Sequence, residues 1–265
     1  MTALLLLLAA PLLMWLSQTA MLRHHGLPIR WSINTHGAPH DVRALGRIIT
    51  QLSLLAVILI YPLVRGESPA AYYLSLLPAS LSALQLVHGA AASVLFLSVL
   101  FLVWVGTGRL VVRIHQSRRR CLRRLLLLIP TALLGAGIEE LLFRGVLMAD
   151  LLRSLADRPY LAVTLAAFIF AGAHYVRAVK RRWTFPGHLA LGLLLCFAFQ
   201  RTGSLWLPIG LHAGGILMIM GTRAFFEYRG PAWLTGESVF PFAGVVGIGG
   251  LGVLTGFVMT YYGVR

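Results

Sequence analysis

Three short stretches carry the side chains with chemical potential. Glu139, Glu140 and Arg144 lie in Ile138-Glu139-Glu140-Leu141-Leu142-Phe143-Arg144-Gly145. His174 closes Phe170-Ala171-Gly172-Ala173-His174, and His212 sits in Leu207-Pro208-Ile209-Gly210-Leu211-His212-Ala213-Gly214-Gly215. All are embedded in apolar runs, where an ionisable group is costly and is a functional hypothesis by default. On a helix, Glu140 and Arg144 are four residues apart and share a face. Glu139 is rotated about 100° from Glu140, so it needs a partner from another helix. His174 and His212 are the candidates. Two carboxylates and two imidazoles from three helices suit a hydrolytic site. A carboxylate can take a proton from water, and imidazoles can bind a metal or donate to an oxyanion. The bland alternative for Glu140 and Arg144 is a structural ion pair, but it accounts for neither Glu139 nor the histidines.

Small residues flank each group: Gly135 and Gly137, Gly172 and Ala173, Gly214 and Gly215. They give either tight helix packing or room for a substrate backbone and water. His88 lacks any such companion motif and reads as a packing or interfacial histidine. His188, close to a span end, also reads as interfacial. Asp150 and Asp157 fall in a short outer loop and are expected to be solvated.

The elements that must position these groups are membrane helices. The chain has 265 residues, 58% hydrophobic and only 12% charged, with mean hydropathy +0.81. This excludes a disordered tail, a disulfide scaffold and an ordinary soluble enzyme. The expected class is an all-α polytopic bundle of about eight spans. They are Thr2–Leu22, Ile48–Val64, Ser80–Val105, Leu125–Ala149, Tyr160–Val176, Trp183–Gln200, Leu205–Thr222 and Val239–Tyr262. The first lacks a basic n-region and a cleavage site, so it reads as a retained anchor. Arg65–Pro78 reads as a loop or interfacial segment. Residues 1–124 form an N-terminal set of helices and basic loops. Residues 125–265 form the site-bearing bundle, within one integrated membrane domain.

The net charge is +15. The basic residues lie between apolar runs without stacking aromatics, so no nucleic-acid partner is expected. Seventeen of the 23 lie in the odd loops, from Arg23–Arg47, Arg109–Arg124, Arg177–Arg182 and Arg223–Arg229. The positive-inside bias places those loops in the cytoplasm and both termini outside. The run Arg118–Arg124 is a topology anchor, or a site for anionic lipids or a substrate tail. Cys121 and Cys196 have no metal or redox spacing.

The order Glu-Glu-x-x-x-Arg, Phe-x-x-x-His and Pro-Ile-Gly-Leu-His resembles the intramembrane proteases related to the type II CAAX prenyl endopeptidase, the CPBP or ABI family. The likeness covers about Leu125–Thr222. It implies that Glu139 activates water, that Arg144 holds Glu140, and that Phe170 supports the site. It implies that His174 and His212 bind a metal such as zinc, with Glu139, or stabilise the oxyanion. Both zinc-type and glutamic-type mechanisms are open, and no H-E-x-x-H run is present. Where the family often has asparagine four residues after the last histidine, this chain has Ile216.

The resulting expectation is an intramembrane endopeptidase cutting near the C-terminus of a membrane-anchored or lipidated protein or peptide. Its Arg-rich short loops suggest a bacterial inner membrane. The alternatives are a non-catalytic scaffold that binds a membrane partner, motivated by Ile216, and a transporter or proton relay. No internal repeat supports transport.

Overall fold

The computed structural model describes residues 2–29, 37–113, 117–175 and 183–262. Arg30, Arg177, Lys180, Arg181, Arg182 and Arg265 lie outside them, as do the side chains of Arg118 and Arg120.

The fold is a helical membrane bundle. Its helices are α1 (Thr2–His24), α2 (His40–Val64), α3 (Pro69–Leu76) and α4 (Ser82–Gly106). Next comes one unbroken helical run: α5 (Arg118–Glu140), a π-helical stretch (Leu141–Met148) and α6 (Ala149–Ser154). Then follow α7 (Pro159–Ala173), α8 (Phe185–Thr202), α9 (Trp206–Thr222), the short α10 (Ala232–Thr235) and α11 (Val245–Tyr261). Each of the eight apolar segments read from the sequence overlaps one of these helices among the described residues. Local chemistry sets several ends. Pro69 and Pro159 occupy first-turn positions, where a missing N–H costs nothing. Gly203, at φ +62°, closes α8 in the left-handed conformation.

Four segments are long and apolar enough to cross a membrane by length and composition: Thr2–His24, His40–Val64, Pro69–Gly106 and Cys121–Ser154. The other four helices, α7, α8, α9 and α11, have 15 to 18 residues. At about 1.5 Å per residue they fall short of a hydrocarbon core about 30 Å thick. α9 is shielded by its neighbours, and residues 207–214 are all buried. Outer faces are apolar and bare, as at Leu8 (74% exposed) and Val253 (76%), which suits contact with lipid tails.

The two ends of the bundle are tied by distinct sets of connections. At one end, β1 (Leu110–Val112) pairs antiparallel with β2 (Phe226–Tyr228), joining the third loop to the seventh. Arg113 pairs with Glu227 at 2.6 Å, and Arg124 donates to the Met220 carbonyl at 2.9 Å. At the other end, the Leu205 N–H donates to the Leu76 carbonyl at 2.8 Å. There too Arg153 meets Glu67 at 3.5 Å, and the Ala3 N–H donates to Asp150 at 3.2 Å. The N-terminus and the second, fourth and sixth loops therefore share one end, opposite the third and seventh.

Two expectations are corrected. Asp150 is not a solvated loop residue: it is 4% exposed and accepts from Tyr61 Oη at 3.0 Å. The fourth helical run continues past Ala149 to Ser154, which carries Asp150 inside. Arg65–Pro78 is not simply loop, because it contains α3, whose Tyr72 is buried.

Candidate active site

Glu139 and Glu140 are the last residues of α5, and the backbone widens into a π-helix at Leu141. Such π-helical insertions recur at functional sites. Glu140 and Arg144 are both 0% exposed, and Arg144 Nη1 lies 3.1 Å from Glu140 Oε1. Arg144 also donates through Nη2 to the Gly192 carbonyl at 3.2 Å, and its guanidinium lies 4.5 Å from the Phe170 ring centroid. Gly192 allows this approach: a Cβ there would meet Ala167 O and the Phe170 ring at 3.1 Å.

His212 bridges the two carboxylates. Its Nδ1 donates to Glu140 Oε1 at 2.7 Å, while Nε2 lies 3.8 Å from Glu139 Oε2. The 100° rotation expected between the glutamates is visible in this difference. Glu140 is sealed between Arg144 and His212. The Glu139 side chain is 37% exposed and lines a cavity of about 190 Å³. Its Oε2 has no hydrogen-bond partner among the described residues.

α9 brings His212 there by backbone-to-backbone packing on α4. A Cβ at Gly210 would lie 2.2 Å from Leu86 O, and one at Gly214 would lie 2.6 Å from Ala90 O. By contrast Gly215 faces open space and lines the cavity. Gly214 thus serves tight helix packing, and Gly215 beside it leaves space. Ser93 on α4 adds a 2.6 Å hydrogen bond to the Leu211 carbonyl.

His174 caps the C-terminal end of α7. Its Nδ1 donates to the Phe170 carbonyl at 2.8 Å, and its ring lies edge-on to Phe170 at 4.7 Å. It lines the same cavity as Glu139 and His212. Phe170, 0% exposed, contacts Phe143, His174, His212 and Arg144, which makes it the packing hub of the site.

The residue that sequence reasoning missed is His188. It is not interfacial: it is 2% exposed and stacks on His174 with ring centroids 4.4 Å apart. Its Nδ1 donates to the Thr184 carbonyl at 2.8 Å, and Phe240 and Phe242 flank its ring. A signal existed. Gly187 precedes it as small residues precede His174, and a Cβ on Gly187 would lie 2.6 Å from Ala243 Cα. His88 does sit apart, 3.3 Å from Tyr262 Oη.

Among the described residues, no three His, Cys, Asp or Glu side chains converge closely enough to hold a metal ion. His212 Nδ1 is committed to Glu140, and His174 Nδ1 to a carbonyl.

Fold and site together define an integral membrane protein with a polar centre buried in an apolar bundle. Residues 122–218 match the family described as type II CAAX prenyl endopeptidase Rce1-like, a protease family. The matched stretch contains Glu139, Glu140, Arg144, Phe170, His174, His188, His212 and Ile216. It agrees with the resemblance carried by the sequence motifs. No curated protein and no solved structure matches the chain.

Proposed function

We propose that the protein is an intramembrane endopeptidase in which Glu139 activates water. The observation that carries this is the different treatment of the two glutamates. Glu140 is fully buried and locked by Arg144 and His212, whereas the Glu139 side chain is 37% exposed and lines the cavity. In the reaction, Glu139 takes a proton from water as the hydroxyl oxygen attacks the scissile carbonyl carbon. The carbonyl oxygen becomes the oxyanion of a tetrahedral intermediate. Its collapse breaks the C–N bond, and the proton held by Glu139 passes to the leaving amine. His212 and His174 line the cavity beside Glu139; with Nδ1–H already given to Glu140 and to the Phe170 carbonyl, each would hydrogen-bond the oxyanion through Nε2–H in its imidazolium form. Glu140, Arg144 and Phe170 fix those groups.

Apart from Ser93 and His188 the rest of the cavity wall is apolar, with Phe96, Leu191, Leu194, Ile216, Phe240 and Leu251 among its residues. That suits an apolar segment of a membrane-anchored protein or peptide. Phe240 and Phe242 come from the connection between α9 and α11, at the end that carries the basic third loop. Substrate entry is proposed from that side, the cytoplasmic face of a bacterial inner membrane, with anionic lipid headgroups at the Arg119–Arg124 surface.

The test is cleavage of membrane-anchored peptides with apolar C-terminal tails by the purified protein, with and without chelator. Cleavage that survives chelation supports the glutamate route. Cleavage abolished by chelator and restored by zinc overturns it in favour of a metal route. Absence of cleavage across a broad tail set favours the scaffold reading, which Ile216 in the cavity wall motivates.

A further inference from the structure

The site lies at the junction of an α-helix and a π-helix, and that junction must be held in place. The π-helical stretch packs against α3, from the N-terminal third of the chain, which lies outside the matched family region. Tyr72 of α3 is 6% exposed and donates its hydroxyl to the Gly145 carbonyl, one residue beyond Arg144. Arg153 Nη2 donates to the same Tyr72 hydroxyl at 3.0 Å and to Tyr61 Oη at 3.3 Å. Its Nε donates to the Ala149 carbonyl at 3.2 Å. Tyr61 in turn donates to Asp150 at 3.0 Å. Gly145 also faces Tyr73, whose ring would lie 3.4 Å from a Cβ at that position. A buried carbonyl inside an apolar bundle needs a donor, and here α3 supplies one to the widened turn that carries Arg144.

We propose that Tyr72, oriented by Arg153, is a positioning residue that fixes the register of the π-helical turn. Through Arg144 and Glu140 it sets the aim of Glu139 into the cavity. The proposal rests on the reading of Glu139 and Glu140 as the reacting centre. It gives the N-terminal helices a role in the chemistry rather than in anchoring alone.

Tyr73 provides a matched control on the same helix. Its hydroxyl donates to the Ile58 carbonyl at 2.7 Å, on α2 and away from the π-helical turn. Tyr72→Phe and Tyr73→Phe each delete one hydroxyl hydrogen bond and keep the ring. They are compared in the full-length protein in lipid nanodiscs, by cleavage kinetics and by hydrogen exchange of backbone amides in residues 141–148. For Tyr72→Phe, kcat falls roughly tenfold, towards about 10²-fold if the site shifts by about 1 Å, while KM stays within about twofold. Exchange in residues 141–148 speeds up. Tyr73→Phe changes neither, although its unfolding temperature drops comparably. Equal effects of the two variants on kcat and on exchange overturn the proposal. If the parent cleaves nothing, the protease reading fails, and the exchange comparison alone decides whether Tyr72 holds the turn.

Discussion

Replacing Glu140 by Gln should cost stability as well as activity, and the structure sets the scale. Arg144 and Glu140 are each 0% exposed, and the guanidinium meets one carboxylate, one carbonyl, one aromatic face and the Cys196 side chain. Glu140→Gln leaves that cation without a counter-charge and weakens the acceptor of the His212 Nδ1–H. Removing one member of a buried pair costs about 3–5 kcal/mol. At about 2–4 °C per kcal/mol for a chain of this size, the unfolding temperature should fall by about 6–20 °C. Arg144→Met strands the carboxylate instead and should cost a similar amount. The double variant removes both charges together, so its loss should be smaller than the two single losses combined. The expected coupling reaches about 3 kcal/mol for residues in direct contact. The assay is thermal unfolding of purified protein in one detergent, run on all four members of the cycle. Additive losses, or a Glu140→Gln protein as stable as the parent, would refute the buried-pair reasoning.

Other substitutions should separate chemistry from packing. His212→Ala should lower both stability and cleavage, because its ring serves Glu140 and faces the cavity; His174→Ala should lower cleavage with a smaller change in unfolding temperature. Ile216→Asn places an amide donor in the cavity wall, and a well-placed oxyanion donor is worth about 3 kcal/mol, so cleavage should rise; a fall at normal expression would show a pocket built around isoleucine. Gly210→Ala drives a methyl group against the Leu86 carbonyl, at 2.2 Å before relaxation, and should cost about 1–3 kcal/mol, read as a lower unfolding temperature.

What the sequence discloses follows from how local each feature is. Glu140 and Arg144 are legible because an i,i+4 pair is a property of one helix. The eight apolar helices are legible because lipid-facing surface demands continuous hydropathy. The π-helical turn is not, since nothing in Leu-Leu-Phe-Arg-Gly-Val-Leu-Met announces a change of hydrogen-bond ladder. It depends on Tyr72, 73 residues away from Gly145. His188 reads as interfacial from sequence because it lies close to a span end. Its burial comes from His174, Phe240 and Phe242, whose rings pack on it only in the assembled bundle. Asp150 reads as solvated from sequence because it falls at the start of a short outer loop. Its partners are the Ala3 backbone and Tyr61, which only the assembled bundle brings to it.

The division of labour between the two glutamates is tested most directly with Glu139→Gln. The substitution keeps the shape and hydrogen-bonding capacity of the side chain and removes its ability to take a proton. Parent and variant, purified in nanodiscs, are incubated with a membrane-anchored peptide carrying an apolar tail, and products are counted by mass spectrometry. General-base assistance is worth about 10²–10⁴-fold, so the variant should give almost no product. Because Glu139 is partly exposed and holds no ion pair as close as that of Glu140, its unfolding temperature should match the parent's. Cleavage by Glu139→Gln at near-parent rate would contradict the account.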